Sequence, residues 1–250
     1  MQVTVLGAGT GLPAANRSPS GYLVRFNGSH ILFDIGAGTL SRLAAIGVSY
    51  RELDRIVISH LHSDHILDLV ALLQANNATP GWTRTAPLQL LGCRGLQGFV
   101  EGIMKLFDGT APESYQLEIV ELDAGRHLYL GFTLEAALTG HTASSLAFRL
   151  EAEDRVLVYS GDAIESQALI DLASRADLFI CECSFPAGFA TGDHLTADGC
   201  GRMARTAGVQ RLLLTHLYPE TGDEQALAQA RAVFGGEVIV ACDGIAMEIC

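Results

Sequence analysis

Three imidazoles and one carboxylate fall within six residues of the stretch Ser59-His60-Leu61-His62-Ser63-Asp64-His65. An apolar run, residues 55–59, leads into it, and a helical pattern follows. His60 and His62 are two apart, so an extended chain sends both to one face. Asp64 and His65 open the helix and turn back toward the same corner. Imidazole with carboxylate is the ligand set of Zn²⁺, Mn²⁺ or Fe²⁺. Helix capping would explain Asp64 but none of the histidines.

One such cluster does not complete two metal shells. Three further groups each end a predicted strand: His141 in Leu-Thr-Gly-His, Asp162 in Tyr-Ser-Gly-Asp and His216 in Leu-Leu-Leu-Thr-His. An apolar strand that stops abruptly at a polar residue places that residue at a sheet edge, where α/β sites form. Alone, each reads equally well as a turn residue. Their occurrence together with the histidine cluster is what points to a metal site.

The elements that must position these groups are short. Strand patterns cover residues 2–6, 22–26, 30–35, 55–59, 88–91, 117–122, 127–130, 132–138, 146–150, 156–160, 178–183, 211–215, 237–241 and 246–249. Helical patterns cover 38–47, 64–77, 96–106, 166–175, 196–207 and 224–234. In the second of these, Leu67, Val70, Ala71 and Leu73 form the expected apolar side. Glu153-Asp154 reads as a hairpin turn. No linker, fixed-period repeat or low-complexity tract divides the chain. Two β–α halves stacked sheet on sheet, with helices outside, give a four-layer α/β sandwich with one continuous core. Gly7-Ala8-Gly9-Thr10-Gly11 is not a dinucleotide fingerprint. That motif needs Gly where Leu12 stands, and then a helix. A turn near the site mouth is the expectation.

The 250 residues are 49% hydrophobic and 18% charged, a globular balance. The formal net charge is −12, and Lys105 is the single lysine. An acidic chain disfavours long nucleic-acid duplexes unless bound cations and local arginines reverse the field. No apolar run reaches the ~18–20 residues that span a bilayer. No basic stretch followed by a long apolar one suggests a leader, so a cytoplasmic location is expected. Cys93, Cys181, Cys183, Cys200, Cys242 and Cys250 form no Cys-x-x-Cys pair and read as buried, reduced thiols. His30 and His127 read as edge histidines, and Trp82 and Tyr218 as candidates for the substrate cleft.

The order His-x-His-x-Asp-His, then His141, Ser-Gly-Asp162 and a strand-terminal His216 resembles the metallo-β-lactamase superfamily over essentially the whole chain. The resemblance implies one domain, residues 1–250, with the αββα sandwich and two divalent ions. By position, His60, His62 and His141 would hold one ion; Asp64, His65 and His216 the other; Asp162 would bridge. Zn is the first expectation, with Mn or Fe as competitors. Cys-Glu182-Cys-Ser-Phe and Asp-His194-Leu-Thr-Ala are similar to the ribonuclease Z group. There the matching Glu supports a His that donates a proton to the leaving oxygen. Asp64, besides ligating, would orient or deprotonate the attacking water.

Two departures stand out. The group's tRNA-gripping arm, inserted between the positions of His141 and Asp162, is replaced by one hairpin. The loop Leu12-Pro-Ala-Ala-Asn-Arg17-Ser-Pro19 has a single cation. Both disfavour tRNA. The expected substrate is a small phosphodiester, cyclic nucleotide or RNA end, with a second copy of the chain as partner and no membrane. The alternative is a carbon-ester hydrolase, a lactonase or thioesterase, on the same metals. A phosphodiester with a poor leaving group needs a proton donor more than a strained lactam or a thioester does, which is why His194 favours phosphorus.

Overall fold

In the computed structural model, which describes residues 1–189 and 192–249, the chain builds two seven-stranded sheets. The first half supplies β1 (Gln2–Gly7), β2 (Gly21–Phe26), β3 (Ser29–Phe33), α1 (Thr39–Ala45), β4 (Arg55–Ile58), α2 (Ser63–Ile66), α3 (Asp68–Ala78), β5 (Leu88–Gly92), α4 (Leu96–Leu106) and β6 (Leu117–Glu121). The second supplies β7 (Gly125–Tyr129), β8 (Phe132–Leu138), β9 (Leu146–Ala152), β10 (Arg155–Tyr159), α5 (Gln167–Leu172), β11 (Leu178–Glu182), α6 (Ala197–Ala207), β12 (Arg211–Thr215), α7 (Asp223–Phe234), β13 (Glu237–Val240) and β14 (Ala246–Glu248).

The first sheet runs β14-β1-β2-β3-β4-β5-β6 and the second β13-β12-β11-β10-β9-β8-β7. Each joins an antiparallel meander to parallel strands: β3 to β6 in one, β10 to β13 in the other. The strands are apolar on both faces because both faces are covered. Ile31, Phe33, Phe148, Leu157, Tyr159 and Ile180 pack between the sheets. Leu32, Ile56 and Leu90 turn outward onto α1, α3 and α4. Val158, Phe179 and Cys181 turn outward onto the helices of the second half. This is the expected four-layer αββα sandwich.

Several local expectations shift. The helix read over 64–77 divides at Leu67 into α2 and α3. Ile35 is the cause. Its N–H donates to His65 O and its carbonyl accepts from Asp68 N–H, pinning the turn to the end of β3. The buried face is therefore Ile66, Leu69, Leu72 and Leu73. Leu67 and Ala71 are exposed and Val70 is only partly buried. Strand β3 stops at Phe33 because Asp34 takes a left-handed backbone, φ 54°, rare for a non-glycine residue. The Glu153-Asp154 turn is as read, both residues having positive φ as a tight hairpin requires. Cys93, Cys181, Cys183 and Cys200 are buried, but Cys242 is exposed because it lies in the turn after β13. Cys250 lies outside the described residues.

Candidate metal centre

The predicted groups converge at strand ends from both sheets. His60 follows β4, His141 follows β8, Asp162 follows β10 and His216 follows β12. Ser59 O accepts Leu146 N–H across the sheets, fixing the β4 end against β9. Gly161 makes the close approach possible. Its φ is 55°, and a Cβ there would lie 2.8 Å from Ser59 Cβ. Gly36 admits the α2 turn, since a Cβ there would sit 2.1 Å from Asp64 O. His216, at φ 55°, is a second strained non-glycine residue at the site.

Asp162 is the centre of the cluster. Its Oδ2 lies 3.7 Å from both His60 Nε2 and His141 Nε2. Its Oδ1 lies 3.3 Å from His65 Nε2 and 3.4 Å from His216 Nε2. The two oxygens thus address two different sets of rings. His62 Nδ1 is 3.1 Å from His141 Nε2, and Asp64 Oδ2 is 3.4 Å from His216 Nε2. Ligand atoms of His60, His62, His141 and Asp162 all lie within 4.8 Å of one another, as do those of Asp64, His65 and His216.

The opposite nitrogens of four rings are engaged behind the cluster. His65 Nδ1 donates to Asp34 Oδ2, 2.7 Å. His60 Nδ1 meets Ser59 Oγ at 3.0 Å, and that hydroxyl donates to Asp34 Oδ2. His141 Nδ1 donates to Asp193 O, 2.8 Å. His216 Nδ1 meets Ser184 Oγ at 3.1 Å, and that hydroxyl donates to Glu182 Oε2. An acceptor at Nδ1 fixes the proton there and leaves the Nε2 lone pair facing inward, as metal-binding histidines require.

The residues fit a cation. His60 Nε2, His65 Nε2 and Asp162 Oδ1 are buried with no hydrogen-bond partner, a costly state that a bound ion would relieve. Burial, with His65 adding to it, pushes His60 down to about 2, so its ring is neutral. Burial would raise Asp64, but the hydrogen bond and charge of His216 hold it well below the carboxylate range. Burial also opposes charge on His65, yet Asp162 and Asp34 raise it well above 6.5. A divalent ion would take the place of that Nε2 proton.

Beside the cluster stands His194, its ring 4.7 Å from that of His141 and 5.6 Å from that of His216. Its Nδ1 donates to Glu182 Oε1, 3.0 Å. Glu182 is buried and also accepts Ala163 N–H and Ser184 O–H. Burial works against the charged ring, but the hydrogen bond and charge of Glu182 raise it to about 9. Tyr218 stands next to His194 and His216, as its candidacy required. Trp82 does not. It packs on Tyr50 and under Arg51, because the end of α3 carries it to the outer layer. His30 and His127 are likewise outside the cluster, beside Glu52 and on the Asp123 carbonyl.

Asp34 was missed. It accepts from Ser59 N–H, Ser59 O–H, His65 Nδ1 and Tyr159 O–H, all within 2.7 Å. The signal that marked Asp162, an apolar strand ending in a carboxylate, was present in Ile-Leu-Phe-Asp34. Asp243 was missed too. It accepts Ala8 N–H and Ser18 N–H and pairs with Arg42, so it holds both stems of the loop after β1. That loop brings Gly11 beside Asp64, where a Cβ on the glycine would lie 3.5 Å from the carboxylate, in keeping with the site-mouth reading.

Comparison with known proteins agrees. The profile of the metallo-beta-lactamase superfamily matches residues 16–221. The probable metallo-hydrolase YhfI of Bacillus subtilis is 35% identical, over 99% of this chain and all of its own. Its crystal structure superposes with a TM-score of 0.86 at 29% identity, over 98% of each chain. A ribonuclease Z from Methanothermobacter thermautotrophicus is 29% identical over 94% of this chain and 92% of its own. The chain belongs to the metallo-beta-lactamase superfamily and is a metallo-hydrolase related to ribonuclease Z.

Proposed function

We propose that the protein is a dinuclear phosphodiesterase acting on small phosphodiesters. His60, His62 and His141 would hold one ion and Asp64, His65 and His216 the other, with Asp162 between them. Zn suits the histidine-rich shell and Mn or Fe the carboxylate. Such ions, when bound, would supply Lewis acidity toward the phosphoryl oxygens and a nucleophile at neutral pH. Asp64, ionised at the mouth, is placed to orient the attacking water. His194 holds its Nδ1 proton on Glu182, so the proton available for transfer is on Nε2.

The observation that carries this reading is the Glu182–His194 pair beside the cluster. An alkoxide leaves poorly without a proton, whereas a thioester, which expels a thiolate, has less need of one. Among the described residues no helix is long and apolar enough to cross a membrane. Between β8 and β10 there is only the β9 hairpin, which offers no arm for tRNA.

The test is a panel: an alkyl or nucleoside phosphodiester, bis-p-nitrophenyl phosphate, a lactone, a thioester and precursor tRNA. The phosphodiesters should be cut best and tRNA poorly. Preferred lactone or thioester hydrolysis would replace this reading with the carbon-ester one. Efficient, salt-sensitive tRNA cleavage would reverse the substrate ranking.

A further inference from the structure

A cavity of about 370 Å³ opens beside His194, walled by Ile164, Glu165, Phe189 and Thr196. Of its lining residues only His194 also adjoins the metal cluster, its ring 4.7 Å from that of His141. A proton donor must lie within hydrogen-bond reach of the leaving oxygen. Whatever that oxygen carries is therefore delivered to this side of His194. The volume is in the range of small-molecule sites, ~300–1,000 Å³.

The apolar wall is unusual in being both aromatic and open. Phe189 is 52% exposed. It stacks on Phe185 at 4.3 Å and 10°, and Phe185 stacks on Tyr218 at 5.0 Å and 24°. Phe185 and Tyr218 also meet the edge of His194. The rings form a stack with an exposed outer member, a platform suited to a flat ring. The polar wall is acidic. Arg202 bridges Glu165 and Asp198, so one guanidinium lies between two carboxylates and the balance is negative. Thr196 donates to Asp198, which leaves its oxygen as an acceptor. Acceptors of this kind suit hydroxyl donors and oppose phosphate.

We infer that this cavity receives the leaving half of the substrate, and that the group it takes is an uncharged nucleoside. The base stacks on Phe189 and the ribose hydroxyls face Glu165. A polynucleotide leaving strand would bring phosphates to the acidic wall and is disfavoured. The inference rests on the phosphodiesterase reading for the direction of the leaving oxygen.

Calorimetry on the metal-loaded protein tests the cavity directly, with adenosine and ribose as probes. Adenosine should bind tighter than ribose by roughly 5- to 150-fold, the range of one base–aromatic stack. Phe189→Ala, an exposed position, should erase that advantage. Kinetics then test the charge. Adenylyl-(3′→5′)-adenosine should be cut at least about tenfold faster than one of the two forms carrying a terminal phosphate, and Glu165→Gln should narrow the gap. Equal binding of adenosine and ribose, an undiminished adenosine advantage in Phe189→Ala, or equal cutting of all three dinucleotides would each overturn the inference. Lactone hydrolysis without diester hydrolysis would remove the phosphodiesterase reading instead, because adenosine binding reads the cavity independently of the reaction.

Discussion

His65 Nδ1 donates to Asp34 Oδ2 over 2.7 Å, and both side chains are fully inaccessible to solvent. The bond fixes the ring so that Nε2 faces Asp162. Asp34→Asn keeps the shape but exchanges a carboxylate for an amide. Metal affinity should fall about 10- to 100-fold, the usual effect of losing such a supporting partner. Titration against a chelating dye measures it. Unchanged affinity in a folded variant would show that Asp34 serves only the core.

Elemental analysis of the purified protein should find close to two divalent ions per chain. His62→Ala should lose metal and activity together, since His62 is a proposed ligand but contributes little to the core, being exposed. Full activity in excess chelator with less than one ion per chain would falsify the dinuclear site.

His194→Ala should keep both ions. On an alkyl or nucleoside leaving group the rate should fall ~10²–10⁴-fold, the range of general acid catalysis. On a p-nitrophenyl diester, whose oxygen leaves well as an anion, the loss should be small. Equal losses on both would mean that His194 shapes the loop or binds substrate; metal loss would place it among the ligands.

The His194 ring is raised to about 9 from its ordinary 6.5, so the charged donor predominates below pH 9. Turnover of an alkyl leaving group should fall as pH rises through about 9, and that of a p-nitrophenyl diester should not. The pair's contribution to folding has the same sign: fully present below about 6.5 and lost as pH rises through 9. Glu182→Gln should move the kinetic limb downward. A limb that stays in place in Glu182→Gln would assign it to another group.

Sequence reading reached the layers, the strand order of motifs and the convergence of seven side chains, because each of those features has a local signature. His60 and His62 share a face by strand period, and Asp162 and His216 end apolar runs. Asp34 was not reached because its role depends on contacts with Ser59, His65 and Tyr159, from three other segments. Trp82 and the division of the 64–77 helix were misread for a related reason. Apolar periodicity says which side is buried only when one surface covers the helix. Here Ile35 pins the first turn separately from the rest.

The cluster draws His60, His62, Asp64 and His65 from the first sheet's connections and His141, Asp162 and His216 from the second's. Neither half owns a complete set of the proposed ligands, so a cation there would act as a non-covalent staple between the two halves of the sandwich. The unfolded chain cannot preassemble the shell, and ion binding is linked to docking of the sheets. At a free concentration 100 times the dissociation constant, such linkage is worth about 2.7 kcal/mol per ion. Thermal unfolding should therefore climb with added metal, and the apoprotein should open first along the seam where Leu146 meets Ser59.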